Sequence, residues 1–326
     1  MNLGKRSYIY FAIKILVVLA VFFWIVSKSL DHYSSKEIIE FQRSIFFENG
    51  NLIWLAFVVI LMPINWFIES KKWSISLRKI YPISPTSSIK SVLAGVALGI
   101  FTPNRIGEFA GRVLTLPEGY RTQGVFSNAI CSLSQLTTTL VIGSICLLVL
   151  MPYYLIFETN FIVTLVQFIL AAFSLLVLMF YARSTRLLKI ISKIKWLRKI
   201  LHKPELKVTV SSGILPSLIG NSVLRYFVFF FQFIAILTFY NVEINSIFSI
   251  IHIPIIYLTL AIVPTIALSE LGIREGVSIA VLSGISDNTL GIISASFTLW
   301  IINIAVPALL GSIVLLRLKF QSKIAK

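Results

Sequence analysis

The stretch IKSVLAGVALGIFTPNRIGEFAGR (residues 89–112) joins a short apolar segment to a cluster of charged residues. Its apolar part, residues 89–101, falls short of the roughly 20 residues that cross a bilayer. Arg105, Glu108 and Arg112 follow within a dozen residues. On insertion scales each of these residues costs about 2.5–3.5 kcal/mol at the bilayer centre. The fold therefore has to accommodate a broken apolar segment that ends in charge.

The composition of the whole chain indicates a membrane protein. Of its 326 residues 57% are hydrophobic and 13% are charged, and the mean hydropathy is +0.91. We predict an all-α integral membrane protein, a polytopic helix bundle that forms one transmembrane domain over residues 1–326. Six full crossings are expected, at residues 8–27, 52–68, 125–150, 161–181, 210–240 and 291–316. The first run is too long for a signal peptide and is expected to be a retained helix.

The net charge of +16 is better explained by membrane topology than by nucleic-acid binding. Nine basic residues lie within residues 182–207, whereas residues 151–160 and 241–246 carry none. By the positive-inside rule the first segment is cytoplasmic and the other two are external. Lys71 and Lys72 are then counted as cytoplasmic. Both termini are expected in the cytoplasm, and the protein in the plasma (inner) membrane.

Two apolar stretches, residues 89–101 and 247–263, do not fit simple crossings. The first starts at a cytoplasmic loop and is followed by a helix that also starts inside, so it must enter and return. The second starts outside and is followed by a helix that starts outside, so it is re-entrant or one of a pair of crossings. The halves 52–150 and 210–316 therefore have opposite orientations. Inverted repeats with broken segments are typical of transporters whose site lies near the midplane.

A proline and a charged cluster follow each of these stretches: TPNRIGEFAGR (102–112) and VPTIALSELGIREG (263–276). In the first, Thr102 is a candidate N-cap and Pro103 the first helical residue. Arg105, Glu108 and Arg112 would share one helix face, where the glutamate can hold both arginines. The glycines Gly107 and Gly111 would allow close backbone approach.

The second cluster contains Pro264, Glu270, Arg274 and Glu275. Intramembrane ionisable residues are functional candidates. The alternative for the first cluster is exposed charge in an ordinary cytoplasmic loop, and the presence of the second cluster counts against it. Since the two clusters carry opposite net charges, we expect them to interlock. The expected pairs are Glu108 with Arg274, and Glu270 or Glu275 with Arg105 or Arg112. The alternative is that each cluster pairs within itself.

Polar residues also form stripes on two long helices. Asn128, Ser132, Gln135 and Thr139 form one stripe, and Ser217, Asn221, Arg225 and Gln232 form the other. Such stripes either line a cavity or bond neighbouring helices. Arg225 requires a partner for its charge. Glu69 is interpreted only as marking the cytoplasmic end of its helix.

The two charged motifs resemble the lysylphosphatidylglycerol synthase transmembrane family, the flippase-like domain of the multiple peptide resistance factor, over nearly the whole chain. The family pattern is roughly T-P-G-R-x-G-E early and P-x(n)-G-G-x-G-x-R-E late. The residues that match it are Pro103, Arg105, Gly107, Glu108, Gly272, Arg274 and Glu275. The chain departs from it at Asn104, where glycine is usual, and at Glu270 and Leu271, where the family tends to small residues and glycine.

This resemblance implies that the protein moves a lipid with a modified or glycosylated phosphate head group between leaflets. Candidate substrate-binding residues are Arg105, Glu108, Arg112, Gln135, Arg225, Glu270, Arg274 and Glu275. The expected partners are membrane lipids with an anionic phosphate head group, a separate enzyme that makes them, and a second copy in a homodimer. With scattered histidines and two cysteines in one apolar run, no metal or cofactor is expected.

Two other functions stay open. One is a membrane-embedded enzyme that modifies lipids or transfers polyprenyl-linked groups, against which stands the scarcity of aspartate, with Asp31 and Asp287 alone and no D-x-D motif. The other is a structural subunit of a lipid or envelope pathway that transports nothing. Such a subunit would not require charged residues at both hairpin turns.

Overall fold

The computed structural model describes residues 34–48, 51–154, 160–192, 211–244, 246–263 and 269–324, and every regular element in these ranges is helical. The α-helices are α1 (Ser35–Arg43), α2 (Leu52–Leu77), α3 (Pro85–Gly99), α4 (Gly107–Leu114), α5 (Arg121–Tyr154), α6 (Asn160–Ala182), α7 (Ser184–Ile191), α8 (Leu215–Phe239), α9 (Ile247–Ile262), α10 (Ser269–Leu282), α11 (Thr289–Trp300) and α12 (Val306–Ile324). The all-α prediction is confirmed. The predicted helix 8–27, Pro264 and most of the basic loop lie outside the described residues.

Five described helical stretches are long and apolar enough to cross a membrane: Leu52–Leu77, Glu118–Tyr153, Phe161–Ala182, Ser212–Phe239 and Thr289–Arg317. They coincide with five of the six predicted crossings and extend beyond most of them. The largest difference is in α2, which continues past residue 68 to Leu77. Glu69 and Lys72 therefore lie within this helix rather than at its edge.

The two apolar stretches that did not fit simple crossings, residues 89–101 and 247–263, each belong to a pair of short helices, α3 with α4 and α9 with α10. Ser84 and Ser246 cap α3 and α9, each through a side-chain oxygen that accepts a backbone N–H three residues on. The helices α3 and α9 have 15 and 16 residues, which at about 1.5 Å per residue is less than the roughly 30 Å of the hydrocarbon core. Each of them is therefore shorter than a full crossing, and their re-entrant course stays a prediction.

The chain halves repeat one element order, in which a long helix and two short helices precede a long helical stretch. The contacts between them are reciprocal. The first helices of the halves, α2 and α8, pack together, α3 packs on α12, and α9 packs on α5. Such reciprocal contacts are what a twofold relation between the halves would produce. The opposite orientation of the halves stays a prediction.

The first hairpin is held by backbone packing at glycine. A Cβ on Gly107 would collide with the carbonyl oxygen of Leu98, and one on Gly111 with that of Ala94. The expected close approach is confirmed. It brings the charged residues of α4 against α3 and α2.

Candidate functional site

The turn between α3 and α4 is a short 3-10 segment, Pro103–Arg105, so Arg105 lies outside an α-helix. Asn104 and Arg105 have φ of 47° and 57°, in the left-handed region. The helix α4 therefore begins at Gly107, and the predicted start at Pro103 is wrong. Thr102 nevertheless serves the helix start, since its hydroxyl accepts the N–H of Gly107 at 2.7 Å and donates to the carbonyl of Gly99 at 3.0 Å. Left-handed arginine is uncommon and indicates a conformation held by its surroundings.

Glu108 contacts both arginines of its own cluster. Its carboxylate lies 3.7 Å from Arg105 Nη1 and 3.4 Å from Arg112 Nη2. The prediction that one glutamate holds two arginines is confirmed. Because Arg105 precedes the helix, however, the shared helix face is limited to Glu108 and Arg112.

Arg105 joins the two hairpins. Its Nη2 and Nε donate to the two carboxylate oxygens of Glu270 at 3.0 and 3.3 Å. Arg274 Nη2 donates to the same carboxylate at 3.2 Å. The predicted interlock between the clusters is therefore present through Glu270. The expected pair of Glu108 with Arg274 is not formed among the described residues. Glu108 pairs with Arg105 and Arg112 instead, and Arg274 pairs with Glu270.

Glu69 lies at the centre of the buried charges. Its carboxylate accepts from Arg112 Nη2 at 2.8 Å and Lys72 Nζ at 3.2 Å, and lies 3.1 Å from Arg225 Nη1. The interpretation of Glu69 as a helix-end marker is wrong, because α2 continues to Leu77. Lys72, counted with the cytoplasmic charges after the second run, lies inside α2 with its side chain 0% exposed. The predicted partner of Arg225 is found here, and Arg225 also donates to Asn65 Oδ1 at 2.7 Å.

These contacts join eight charged residues into one ion-pair network that crosses between the halves. We call it the charge network; its members are Lys72, Arg225, Glu69, Arg112, Glu108, Arg105, Glu270 and Arg274. It contains five basic and three acidic residues. Buried charges are costly unless paired. Within the network three carboxylates are shared among five cations, so these eight described residues together carry +2.

The outer end of the charge network lines a cavity of about 600 Å³. Polar side chains on its wall come from Asn104, Arg105, Gln135, Thr139, Glu270 and Arg274, and the rest is aromatic or aliphatic: Leu136, Tyr226, Phe229, Tyr257, Leu260, Ala261, Ile262 and Val263. Arg105 and Arg274 keep 29% and 23% of their side-chain surface exposed. The cavity thus presents two cations beside an apolar wall.

The remaining candidate residues are not among the described ones that line the cavity. Glu108, Arg112 and Arg225 are not among the described residues that line the cavity, and Arg112 is only 3% exposed. Glu275 is also buried, at 2% exposure, and is not among the lining residues. Their direct contact with substrate stays a prediction. Their observed contacts support a positioning role for Glu108 and Arg112.

The polar stripes have mixed roles. Gln135 and Thr139 line the cavity, Asn128 is buried and Ser132 is exposed. On α8, Gln232 accepts from Asn303 at 3.1 Å and donates to the carbonyl of Val58 at 2.9 Å. Both proposed roles, cavity lining and interhelical bonding, therefore occur.

Asn303 extends this polar contact to the charge network. It lies in a π-helical segment, Ile301–Ala305, and accepts from Asn65, the residue that accepts from Arg225. Asn65 and Asn303 were not singled out from the sequence as polar contacts of the charge network. The signal that could have identified them is the presence of an amide side chain inside an apolar run. Among the described residues no group of three His, Cys, Asp or Glu side chains could hold a metal ion.

The family model of the lysylphosphatidylglycerol synthase TM region matches residues 11–318. The chain belongs to this family. The match spans all the described helices except the C-terminal turns of α12, and so covers both hairpins. No curated protein matches the chain.

The structure explains two departures from the family motifs. Asn104 stands where glycine is usual, and its φ of 47° is a conformation that glycine adopts freely and asparagine tolerates best among the other residues. Glu270 stands where the family tends to small residues, and here it holds both Arg105 and Arg274. The second departure therefore adds a carboxylate at the point where the hairpins meet.

Proposed function

We propose that this protein is a membrane lipid translocase that moves a phosphate-bearing lipid between leaflets. The observation that carries the proposal is the cavity between the halves, where Arg105 and Arg274 lie beside an apolar wall. A lipid needs both surfaces at once, because its head group is charged and its chains are not. Family membership places the chain with membrane proteins of lipid or envelope pathways.

The two arginines suit a phosphate. Guanidinium groups bind phosphate through paired N–H donors, and Arg105 already makes such a paired contact with Glu270. Arg274 Nε is buried and has no hydrogen-bond partner among the described residues. A phosphate in the cavity would take donors from both arginines and release them in part from Glu270.

This exchange supplies a switch for alternating access. When Arg105 turns to the phosphate, the contact that ties the first hairpin to Glu270 weakens, and the halves can move apart on that side. Glu108 and Arg112 keep the first hairpin in place against Glu69 meanwhile. We further propose the plasma (inner) membrane as the location, with cytoplasmic termini, a separate enzyme as the source of the lipid, and a homodimer as the assembly.

Reconstitution into liposomes tests the proposal. The purified protein is inserted in phosphatidylcholine vesicles that contain a trace of phosphatidylglycerol with a fluorescent label on an acyl chain. A membrane-impermeant quencher then reports the fraction of labelled lipid in the outer leaflet. We expect faster equilibration between leaflets than in protein-free vesicles. A change of lipid mass would indicate an enzyme instead, and a change of neither distribution nor mass would indicate a structural subunit.

A further inference from the structure

Lys72 is buried in the helix bundle and contacts a residue that lines the cavity. Its side chain is 0% exposed, and Nζ donates to Glu69 at 3.2 Å and to Gln135 Oε1 at 3.3 Å. Gln135 in turn lines the cavity. One side chain therefore separates the buried ammonium group from the proposed lipid site.

Several charged and titratable groups face Lys72. Glu69 comes from its own helix, Arg112 from α4, Arg225 from α8, and Cys131 from α5, whose Sγ donates to the backbone carbonyl of Lys72 at 3.7 Å. A single carboxylate thus serves three cations. The ammonium of Lys72 and both guanidinium groups share a region from which water is largely excluded.

Lysine differs from its cationic neighbours in one property. A guanidinium keeps its proton at any pH a protein meets, whereas a buried ammonium can release one. Of the five cations in the charge network, Lys72 is the lysine and the other four are arginines. The net charge of the network can therefore change by one at Lys72, between +2 and +1.

We propose that Lys72 is the site of a coupling proton, so that one proton moves with each singly charged lipid. This rests on the proposed lipid translocation. In this cycle Lys72 releases its proton while the site is empty, which lowers the charge of the network from +2 to +1. When a monoanionic head group enters beside Arg105 and Arg274, Nζ takes a proton from water in the cavity, and the interior again carries +1.

Proton transfer in this cycle is balanced at each step. On loading, the lone pair of Nζ forms an N–H bond with a proton delivered by cavity water past Gln135. On release of the lipid, that N–H bond breaks, the electron pair stays on nitrogen, and the proton returns to water on the other side. Because an anion and a proton move together, the cycle transfers no net charge.

Linkage gives the expected size of the effect. Binding and protonation favour each other by the same factor. With one proton per lipid, a gradient of one pH unit should bias the leaflet distribution by up to about tenfold, since the two free-energy differences become equal at that point. The lipid should accumulate in the leaflet that faces the alkaline side.

The test uses the full-length protein in phosphatidylcholine vesicles with fluorescent phosphatidylglycerol, whose phosphodiester stays ionised across the range. Leaflet distribution is measured with and without a pH gradient, and the ratio of the two is compared between proteins. Wild type and the control Lys71→Arg, an exposed neighbour on the same helix, should show the bias. Lys72→Arg, which keeps a fixed charge, and Lys72→Met, which has none, should show a ratio of one.

The outcomes separate the two proposals. Lipid that equilibrates faster than in protein-free vesicles but ignores the gradient in wild type overturns the proton site and leaves the translocase standing. A full gradient response in Lys72→Arg does the same. Absence of any lipid movement in wild type overturns both. A response of wild type to an imposed membrane potential would contradict the joint movement of one proton with each lipid.

Discussion

Glu69 is the residue whose loss should cost the folded protein most. It is 4% exposed and contacts Lys72, Arg112 and Arg225. Removal of one partner from a buried ion pair leaves uncompensated charge, which costs about 3–5 kcal/mol. For Glu69→Gln we therefore expect a clear fall in the thermal midpoint of unfolding in detergent. The measurement is the fluorescence of the buried tryptophans as the temperature rises.

A matched control is available at Glu118. Its carboxylate pairs with Arg121 at 3.4 Å, but its side chain is 89% exposed, and exposed pairs contribute at most about 1 kcal/mol. Glu118→Gln should leave the midpoint nearly unchanged. Equal shifts in the two variants would contradict the central position that we assign to Glu69.

Arg105 and Arg274 should not tolerate lysine. Arg105 makes two parallel bonds to Glu270, and an ammonium group cannot reproduce this geometry. Loss of one charge-assisted hydrogen bond of about 1.5–3 kcal/mol predicts that Arg105→Lys or Arg274→Lys slows lipid equilibration by about tenfold or more. The exposed Arg78→Lys serves as control in the same liposome assay. A normal rate of lipid equilibration in the double variant, Arg105→Lys with Arg274→Lys, would contradict the phosphate-binding role.

The first hairpin depends on contact between backbones. On Gly111 an added methyl group would meet the carbonyl of Ala94, and backbone, unlike a flexible side chain, cannot move aside cheaply. We expect Gly111→Ala to destabilise the protein by about 1–3 kcal/mol, as overpacking does. Since α4 carries Glu108 and Arg112, lipid movement should fall with stability.

Gly119 provides the comparison for that substitution. A Cβ there would have no heavy atom within 4 Å. Gly119→Ala should therefore unfold at the wild-type midpoint. If Gly111→Ala did so as well, the close approach of α3 and α4 would be wrong.

Opposite orientation of the halves is the prediction at the scale of the whole molecule. Single cysteines at Ser87 and Glu243, both exposed, are introduced after Cys131 and Cys146 are replaced by alanine. A membrane-impermeant maleimide should label position 87 from the cytoplasm and position 243 from outside in intact cells and inverted vesicles. Labelling of both positions from one side would rule out the inverted repeat.

The helix breaks show where local reasoning reached its limit. Thr102 and Pro103 form a proper helix-start signal, yet α4 begins at Gly107 because Asn104 and Arg105 adopt left-handed backbone. Capping preferences report the propensity of a few residues, whereas this turn is held by contacts to Glu270 and to α3. Glu69 was misread for a related reason, since the apolar run ends near residue 68 but its helix continues to Leu77.

By itself the sequence determined the class of the molecule, five of its described long helices, the two interrupted hairpins and the charged motifs of its family. Hydropathy, helix length and turn residues are local properties, so the chain displays them without folding. Only the tertiary structure decided which charges meet. Arg105 and Glu270 are 165 residues apart, and three carboxylates could pair with five cations in many ways. The packing of backbones at Gly107 and Gly111 selects one of these ways, because it fixes where each side chain starts before its charge can act.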